Sequence, residues 1–376
     1  MHIVKDAVAL LQELVAIDST NPDLGPGAGE AGLATAVADS LDGFGLEVAV
    51  EEVESGRPNV TAVAQGTGGG RSLMLNAHLD TVGVAGYTDP FAAVVDGVRC
   101  SGRGSLDTKA GLVAAMRATA AAAGMGLAGD VILTAVIDEE AGSKGTEAVI
   151  RSQSADAAIV LEPTGLEVVV THRGFAWGRV TVHGVAAHGS DPDAGVDAIA
   201  HAGAVLTGVA ALHERLQQGD AHPLLGHGAV HASLISGGQE VSSYPASCTI
   251  DMERRLLPSE SMDDWEAELA DLAGLVAGPA TADYEAPFFR LPLQASSDEP
   301  IVTALIGAAT DVLSVAPFVG AAPYWTDAAL LAAAGIPAVV YGPGGGGIHS
   351  HDEWVDLATM DACERTLIRL IDQWCR

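Results

Sequence analysis

The chain has 376 residues, more than one hydrophobic core usually organises, so two structural units are expected. Its 49 acidic residues against 18 Lys and Arg give a formal net charge of −31, which repels phosphate backbones and anionic lipid headgroups. Only three lysines are present and no basic cluster reverses that field locally, so neither a nucleic-acid partner nor a membrane-surface role is expected.

In chain order, the segment from Met1 to Asp18 carries apolar side chains at helical spacing, with Val4, Val8, Leu11, Leu14 and Val15 on one face. The turn formers Ser19-Thr20-Asn21-Pro22 close that helix. Lys5, Asp6 and Glu13 set it apart from a signal peptide, and no later stretch is apolar enough to span a bilayer, so a cytoplasmic location is expected. A second helix is predicted from about Glu30 to Leu41. Cys100, Cys248, Cys363 and Cys375 are scattered without a Cys-x-x-Cys pair, so reduced structural thiols are expected rather than a disulfide framework or a thiolate metal site.

Four short apolar runs read as buried strands: Leu73 to Ala77, Val131 to Ile137, Ala158 to Leu161 and Ala338 to Tyr341, separated by Ala-rich helical stretches. This alternation predicts an α/β sheet covered by helices. Each run is followed at once by His, Asp, Glu or a glycine-rich turn. The polar groups therefore gather at strand carboxyl ends, the edge where open α/β sheets bind ligands.

From about Gly174 to Ala286 the pattern changes. Trp177 to Val182 alternates as a strand, a helix is expected from about Gly195 to Leu216, and the strand-like runs Val230 to Ile235 and Ser247 to Arg255 follow. A helix from about Met262 to Leu275 and a strand near Thr281 to Glu285 complete an α+β insertion. The expected division is a discontinuous domain of residues 1–173 and 287–376, interrupted by residues 174–286.

His78 and Asp80 lie two apart at a strand end and point to one side, as a carboxylate orienting a metal-bound imidazole or as a structural pair. Asp107 ends the glycine-flexed loop Gly102-Arg103-Gly104-Ser105-Leu106-Asp107, just before a helix starting near Ala110, as a ligand or as its N-cap. Asp138-Glu139-Glu140 closes another strand. Adjacent carboxylates repel, which is tolerable in water or beside cations, where one ligates while its neighbour moves protons. Glu162 follows a third strand, and His349 and His351 follow the last in Ile348-His349-Ser350-His351-Asp352-Glu353. Together, two imidazoles and three or four carboxylates without a cysteine suit Zn²⁺, with Co²⁺ or Mn²⁺ as substitutes. One carboxylate shared between two ions leaves each an open position for water.

These motifs, in order and over nearly the whole chain, resemble those of the co-catalytic two-zinc amidohydrolases that include acetylornithine deacetylase, succinyl-diaminopimelate desuccinylase, aminoacylase and carboxypeptidase G. The resemblance implies two Zn²⁺ per subunit, with His78 and Glu162 at one, Glu140 and His349 at the other, and Asp107 bridging them. It also implies that Asp80 orients His78 and that Glu139 is the general base. His349 is favoured over His351 because the family pattern is a His followed four residues later by Glu, here Glu353.

In the insertion, Ala187-His188-Gly189-Ser190-Asp191-Pro192 resembles the family's dimerisation-domain motif, which implies a homodimer in which His188 holds the oxyanion in the neighbouring subunit's site. Arg255 resembles the arginine whose planar fork grips the substrate carboxylate, with Arg254 alternating to the opposite face. Ser242 stands where many relatives carry Asn, three residues before Pro245. The implied fold is an α/β zinc-hydrolase sheet sandwiched by helices, with an inserted ferredoxin-like α+β dimerisation domain. The implied activity is removal of an acyl group from an N-acylated amino acid. A metallo-exopeptidase, either a dipeptidase or a carboxypeptidase acting on short peptides, uses the same site.

Overall fold

The computed structural model describes residues 6–376, so Val4 and Lys5 of the expected first helix lie outside the described residues. The chain forms two compact units, one of Met1–Val170, Ala295–Gly320 and Thr326–Arg376, the other of Thr171–Gln294 and Ala321–Trp325.

Strands in the first unit follow the order Glu47–Glu54, Arg57–Ala64, Val131–Val136, Leu73–His78, Ala158–Val160, Ala338–Val340 and Val168–His172. The strand of each of the four apolar runs is parallel to its neighbour among them, and antiparallel strands flank this group. Parallel strands bury both faces, and every residue of Leu73–His78 and Val131–Val136 is buried. Leu73, Leu75 and Ala77 join the core formed with the helices Ala110–Ala122 and Leu357–Trp374. Burying one such leucine is worth about 1.5–3 kcal/mol. The alternate residue Asn76 donates to Thr146 Oγ1 of the helix Lys144–Ser152 at 3.3 Å, and Thr146 donates to Asp327 at 2.6 Å, where the helix Ala328–Ala333 begins. The period of two thus feeds helices on each face, and the sheet is sandwiched.

The first helix is Ala7–Val15, capped by Asp6, and the second is Ala31–Gly43. The hairpin Glu47–Glu54 to Arg57–Ala64 lies outside the expected elements. Its first strand carries Glu47, Glu51, Glu52 and Glu54 and is mostly exposed, so it lacks the apolar run that marks a buried strand. A smaller sheet of the same unit has the order Gly345–Gly346, Trp354–Asp356, Arg99–Ser101, Val94–Asp96. Trp354 pairs with Ser101, so the segments 347–353 and 102–109 leave neighbouring strands at the same end.

In the second unit, Gly174–His183, Ala229–Gly237, Ser247–Leu256 and Thr281–Arg290 form an antiparallel sheet in which the first strand lies between the third and fourth. With the helices Ala198–Gln218 and Met262–Gly274 the order is β-α-β-β-α-β, a ferredoxin-like α+β unit. Val180, Ile250 and Met252 pack with Val205, Leu212, Trp265 and Leu269. The edge strand Ala229–Gly237 exposes Leu234 and Ile235. Among the described residues no helix is long and apolar enough to cross a membrane.

All four cysteines are buried and unbridged, and burial pushes the Cys100 thiol up to about 11 and Cys375 up to about 12. Because the thiolate is the reactive form, the native protein at about pH 8 should leave all of them unlabelled by a thiol reagent, and denaturant should expose them. Rapid labelling of the native protein would contradict this packing.

Candidate metal centre

His78 ends its strand with the ring fixed by its own turn, because Nδ1 donates to the Asp80 carbonyl at 2.8 Å. The lone pair is therefore left on Nε2. That nitrogen faces Asp107 Oδ1 at 3.0 Å and Glu162 Oε2 at 3.9 Å. The other oxygen of Asp107 lies 3.3 Å from His349 Nε2, which is itself 3.1 Å from Glu140 Oε2. Two groups result, His78/Asp107/Glu162 and Asp107/Glu140/His349, each with donor atoms within 4.8 Å of one another and Asp107 common to both. His351 instead stacks on Tyr87, with ring centroids 5.5 Å apart.

Asp107 does not cap the helix that follows. Lys109 holds the N-cap position of Ala110–Ala122 without a side-chain cap bond, and Asp107 is extended within the turn Ser105–Lys109, followed by a cis peptide. Gly104 enters this turn at φ +78°, where an added Cβ would come within 2.7 Å of Thr81. The buried Lys109 amine donates to the Leu14 and Ile17 carbonyls at 3.0 and 2.8 Å, and burial brings its pKa down to about 7.

Glu353, which marks the spacing of His349 in the sequence, proves to be the clamp of the Asp107 turn. Its carboxylate accepts from the backbone N–H of Gly104, Leu106 and Asp107 at 3.0–3.1 Å and from Arg103 Nη1 at 2.6 Å. One buried carboxylate thus fastens two loops that each supply a side chain to the second donor group. Removing either member of a buried ion pair such as Arg103–Glu353 costs about 3–5 kcal/mol.

Asp80 has a wider role than orienting one ring. Its Oδ1 is 3.6 Å from His78 Nδ1, and its two oxygens accept from the backbone N–H of Glu139 and Glu140, each at 3.0 Å, and from Asn21 Nδ2 at 2.8 Å. The carbonyl holds His78, while the carboxylate seats the segment bearing Glu139 and Glu140. Asp327, absent from the expected set, is buried beside this segment, and burial raises its carboxyl to about 6.

Four carboxylates meet two imidazoles here. Burial, followed by the field of Glu162, pushes Glu139 well above the usual carboxylate range. Burial also raises Glu162 and Glu140, with Asp107 adding to both. At His78 burial opposes the charged ring, but bonding to Asp107 and Asp80 outweighs it and the pKa rises. Asp107 and then Glu140 raise His349 to about 10, while Asp107 itself is held low, against burial, by His349 and His78. Nitrogen and oxygen donors aimed at common points, without thiolate and with excess negative charge, fit divalent cations such as Zn²⁺.

In the second unit, His188 lies in a loop bridged to Ser243, and its Nδ1 is engaged by Ser190, 2.7 Å from the hydroxyl and 3.2 Å from the backbone N, so Nε2 is the ring nitrogen turned away from this turn. Gly189 N donates to the Ser242 carbonyl at 2.7 Å. Arg254 is buried against Glu260 and Glu268, at 2.5 and 2.9 Å, whereas Arg255 lies over the Phe175 ring on the other face.

Glu139, Glu140, Glu162, His78 and His349 all hold protons more tightly in the folded, cation-free protein than in the unfolded chain. The stability they contribute at low pH is lost as pH rises from the carboxylate range through about 10, where His349 titrates. Above about pH 7 the buried Lys109 amine works in the opposite sense, so the melting temperature of chelator-treated protein should fall most clearly between about pH 5.5 and about pH 7, and the gain from added Zn²⁺ should grow over the same window. A melting temperature insensitive to pH and Zn²⁺ would contradict the charge arrangement. Glu353→Gln should weaken Zn²⁺ binding about 10–100-fold in a chelator competition, and unchanged affinity would remove the clamp.

The family model described as Peptidase family M20/M25/M40 matches residues 74–373. The N-acetyl-L-citrulline deacetylase of Xanthomonas campestris pv. campestris is 31% identical over 96% of this chain and 96% of its own length. The acetylornithine deacetylase of Myxococcus xanthus is 29% identical, covering 98% of this chain and 97% of its own. A solved tripeptidase from Staphylococcus aureus shares the fold with a TM-score of 0.80 at 19% identity, covering 100% of both chains. With the family model spanning most of its length, the chain belongs to the peptidase family M20/M25/M40, metal-dependent hydrolases of amide bonds.

Proposed function

We propose that this enzyme removes the acyl group from a small N-acylated amino acid, as an acetylornithine deacetylase- or desuccinylase-like deacylase. The reading is carried by the arrangement of Asp107 between two donor groups with the Glu139 segment seated beside them. Relatives named as deacetylases, aligned over nearly their whole length, favour acylated amino acids as substrates. The tripeptidase likeness speaks to the fold alone.

In this reading His78, Asp107 and Glu162 hold one Zn²⁺, and Asp107, Glu140 and His349 the other, with Co²⁺ or Mn²⁺ as substitutes. When bound, the ions supply the Lewis acidity that lets a water lose its proton near neutral pH. Glu139, seated by its backbone N–H on Asp80, takes that proton on its carboxylate. The water oxygen bonds to the acyl carbon, the C–N bond breaks, and Glu139 delivers the proton to the leaving nitrogen. The products are a carboxylic acid and a free amino acid.

Asp80 keeps His78 oriented and Glu139 seated through its backbone N–H. His188, whose Nδ1 is engaged by Ser190, serves through Nε2 as the donor to the developing oxyanion, and Arg255 grips the amino acid's carboxylate. We assign the His188 role to the neighbouring subunit of a homodimer, with residues 174–286 as the dimerisation domain. The exposed edge strand bearing Leu234 and Ile235 offers unpaired backbone and apolar surface for such pairing.

Zn²⁺-loaded enzyme assayed on acylated amino acids beside dipeptides should show kcat/KM at least about tenfold higher on the acylated set, a difference of about 1.4 kcal/mol at the transition state. Glu139→Gln should lower kcat by about 10²–10⁴-fold while both ions stay bound by elemental analysis. Preference for dipeptides would overturn the deacylase reading, and near-normal turnover by Glu139→Gln would remove Glu139 as the base.

A further inference from the structure

Behind the metal centre, a buried polar chain runs from the second hairpin strand to the segment that bears Glu139 and Glu140. Asn21 Nδ2 donates to Asp80 at 2.8 Å and to Asp138 Oδ1 at 3.1 Å, so two carboxylates converge on one neutral amide. Arg57 Nη2 donates to the same Asp138 oxygen at 3.0 Å, and its Nε and Nη2 bond Glu30 at 2.9 and 2.5 Å. Asn21, Glu30 and Asp138 are fully buried, Asp80 is 1% exposed and Arg57 5%.

Asp138 stands at φ +69°, and its carbonyl accepts from Gly142 N and Ser143 N at 2.9 and 2.5 Å, closing the turn that carries Glu139 and Glu140. Asp80 takes the amide protons of those two residues. The turn is therefore held by the Asp138 backbone carbonyl and the Asp80 carboxylate, while the Asp80 and Asp138 carboxylates, joined through Asn21, repel each other in a poorly screened interior, and the Arg57 guanidinium offsets that repulsion. A planar fork can face Glu30 and Asp138 at once, which a lysine ammonium does not match.

We propose that Arg57 is a positioning residue of the metal centre, acting through Asp138 and Asn21 to hold the Asp80 carboxylate and with it the backbone of Glu139 and Glu140. The inference rests on the metal-centre reading above. Arg57 also bonds Glu54 at 3.0 Å, a half-exposed contact on the far side of the fork whose own route to Asp138 runs through the partly exposed Lys144 Nζ, 4.0 Å from Asp138 Oδ2. Glu54 therefore separates a positioning role from general support of the hairpin.

The test compares the full chain with Asn21→Ala, Arg57→Lys and Glu54→Gln variants. Backbone hydrogen exchange over 138–143 is read without metal, and Co²⁺ titration reads affinity and the visible absorption envelope. Asn21→Ala and Arg57→Lys should exchange the Glu139 and Glu140 amides faster and bind Co²⁺ about 10–100-fold more weakly, with an altered absorption envelope. Glu54→Gln, whose own link to Asp138 runs through the solvent-screened Lys144, should change both exchange and affinity far less. If Arg57→Lys does not fold, Asn21→Ala decides. Parent-like exchange and affinity in Asn21→Ala, or an equal loss in Glu54→Gln, would overturn the proposal. If the parent itself binds no Co²⁺, the metal-centre reading falls, while the exchange arm still decides whether Asn21 and Arg57 hold the turn.

Discussion

Asp107 faces His78 with one carboxylate oxygen and His349 with the other, and the rest of the first unit is organised around keeping it there. A single carboxylate can serve two donor groups only if the elements carrying His78, Glu162, Glu140 and His349 end within a few ångströms of it. Parallel strands meet this requirement, because their carboxyl ends lie along one edge and the next residue of each chain segment emerges there. His78 and Glu162 leave neighbouring strands, and Glu139 and Glu140 leave the strand on the other side of His78.

The cost of that convergence is negative charge in a poorly solvated place. The shifted titration of Glu139, Glu140 and Glu162 expresses it, as does the pull on both imidazoles. Backbone amides and buried cations answer the same problem one layer out. Glu353 is satisfied by three peptide N–H groups and Arg103, Asp80 by two peptide N–H groups and Asn21, and Asp138 by Arg57. The Glu353 and Asp80 carboxylates thus hold the backbone that carries Asp107, Glu139 and Glu140, and Asp138 is tied to Asp80 through Asn21, so charge balance and placement of the donor groups are one design.

The second unit obeys separate rules. Its sheet is antiparallel and half-covered, so alternation sends Arg254 into Glu260 and Glu268 and leaves Arg255 against an aromatic ring on the open face. The period of two was sufficient to separate these neighbouring arginines, because an inward and an outward side chain cannot exchange without moving the whole strand by one register.

How much was legible follows the same physics. Apolar runs ending in His, Asp or Glu are local patterns, so the sequence by itself determined the buried parallel strands, the α+β insertion and the donor chemistry of nitrogen and oxygen without sulfur. The charged strand 47–54 escaped because it is mostly exposed and has no apolar run, and Glu30 read as an ordinary helix start although it is a buried anion paired with Arg57. Whether Asp107 was a cap, which of His349 and His351 faced the centre without the aid of resemblance, and what Asp80, Glu353 and Asn21 bind were decided only by the tertiary structure. Those choices depend on partners such as Arg103 and Glu353, 250 residues apart, whose meeting is set by sheet order and strand register rather than by any spacing along the chain.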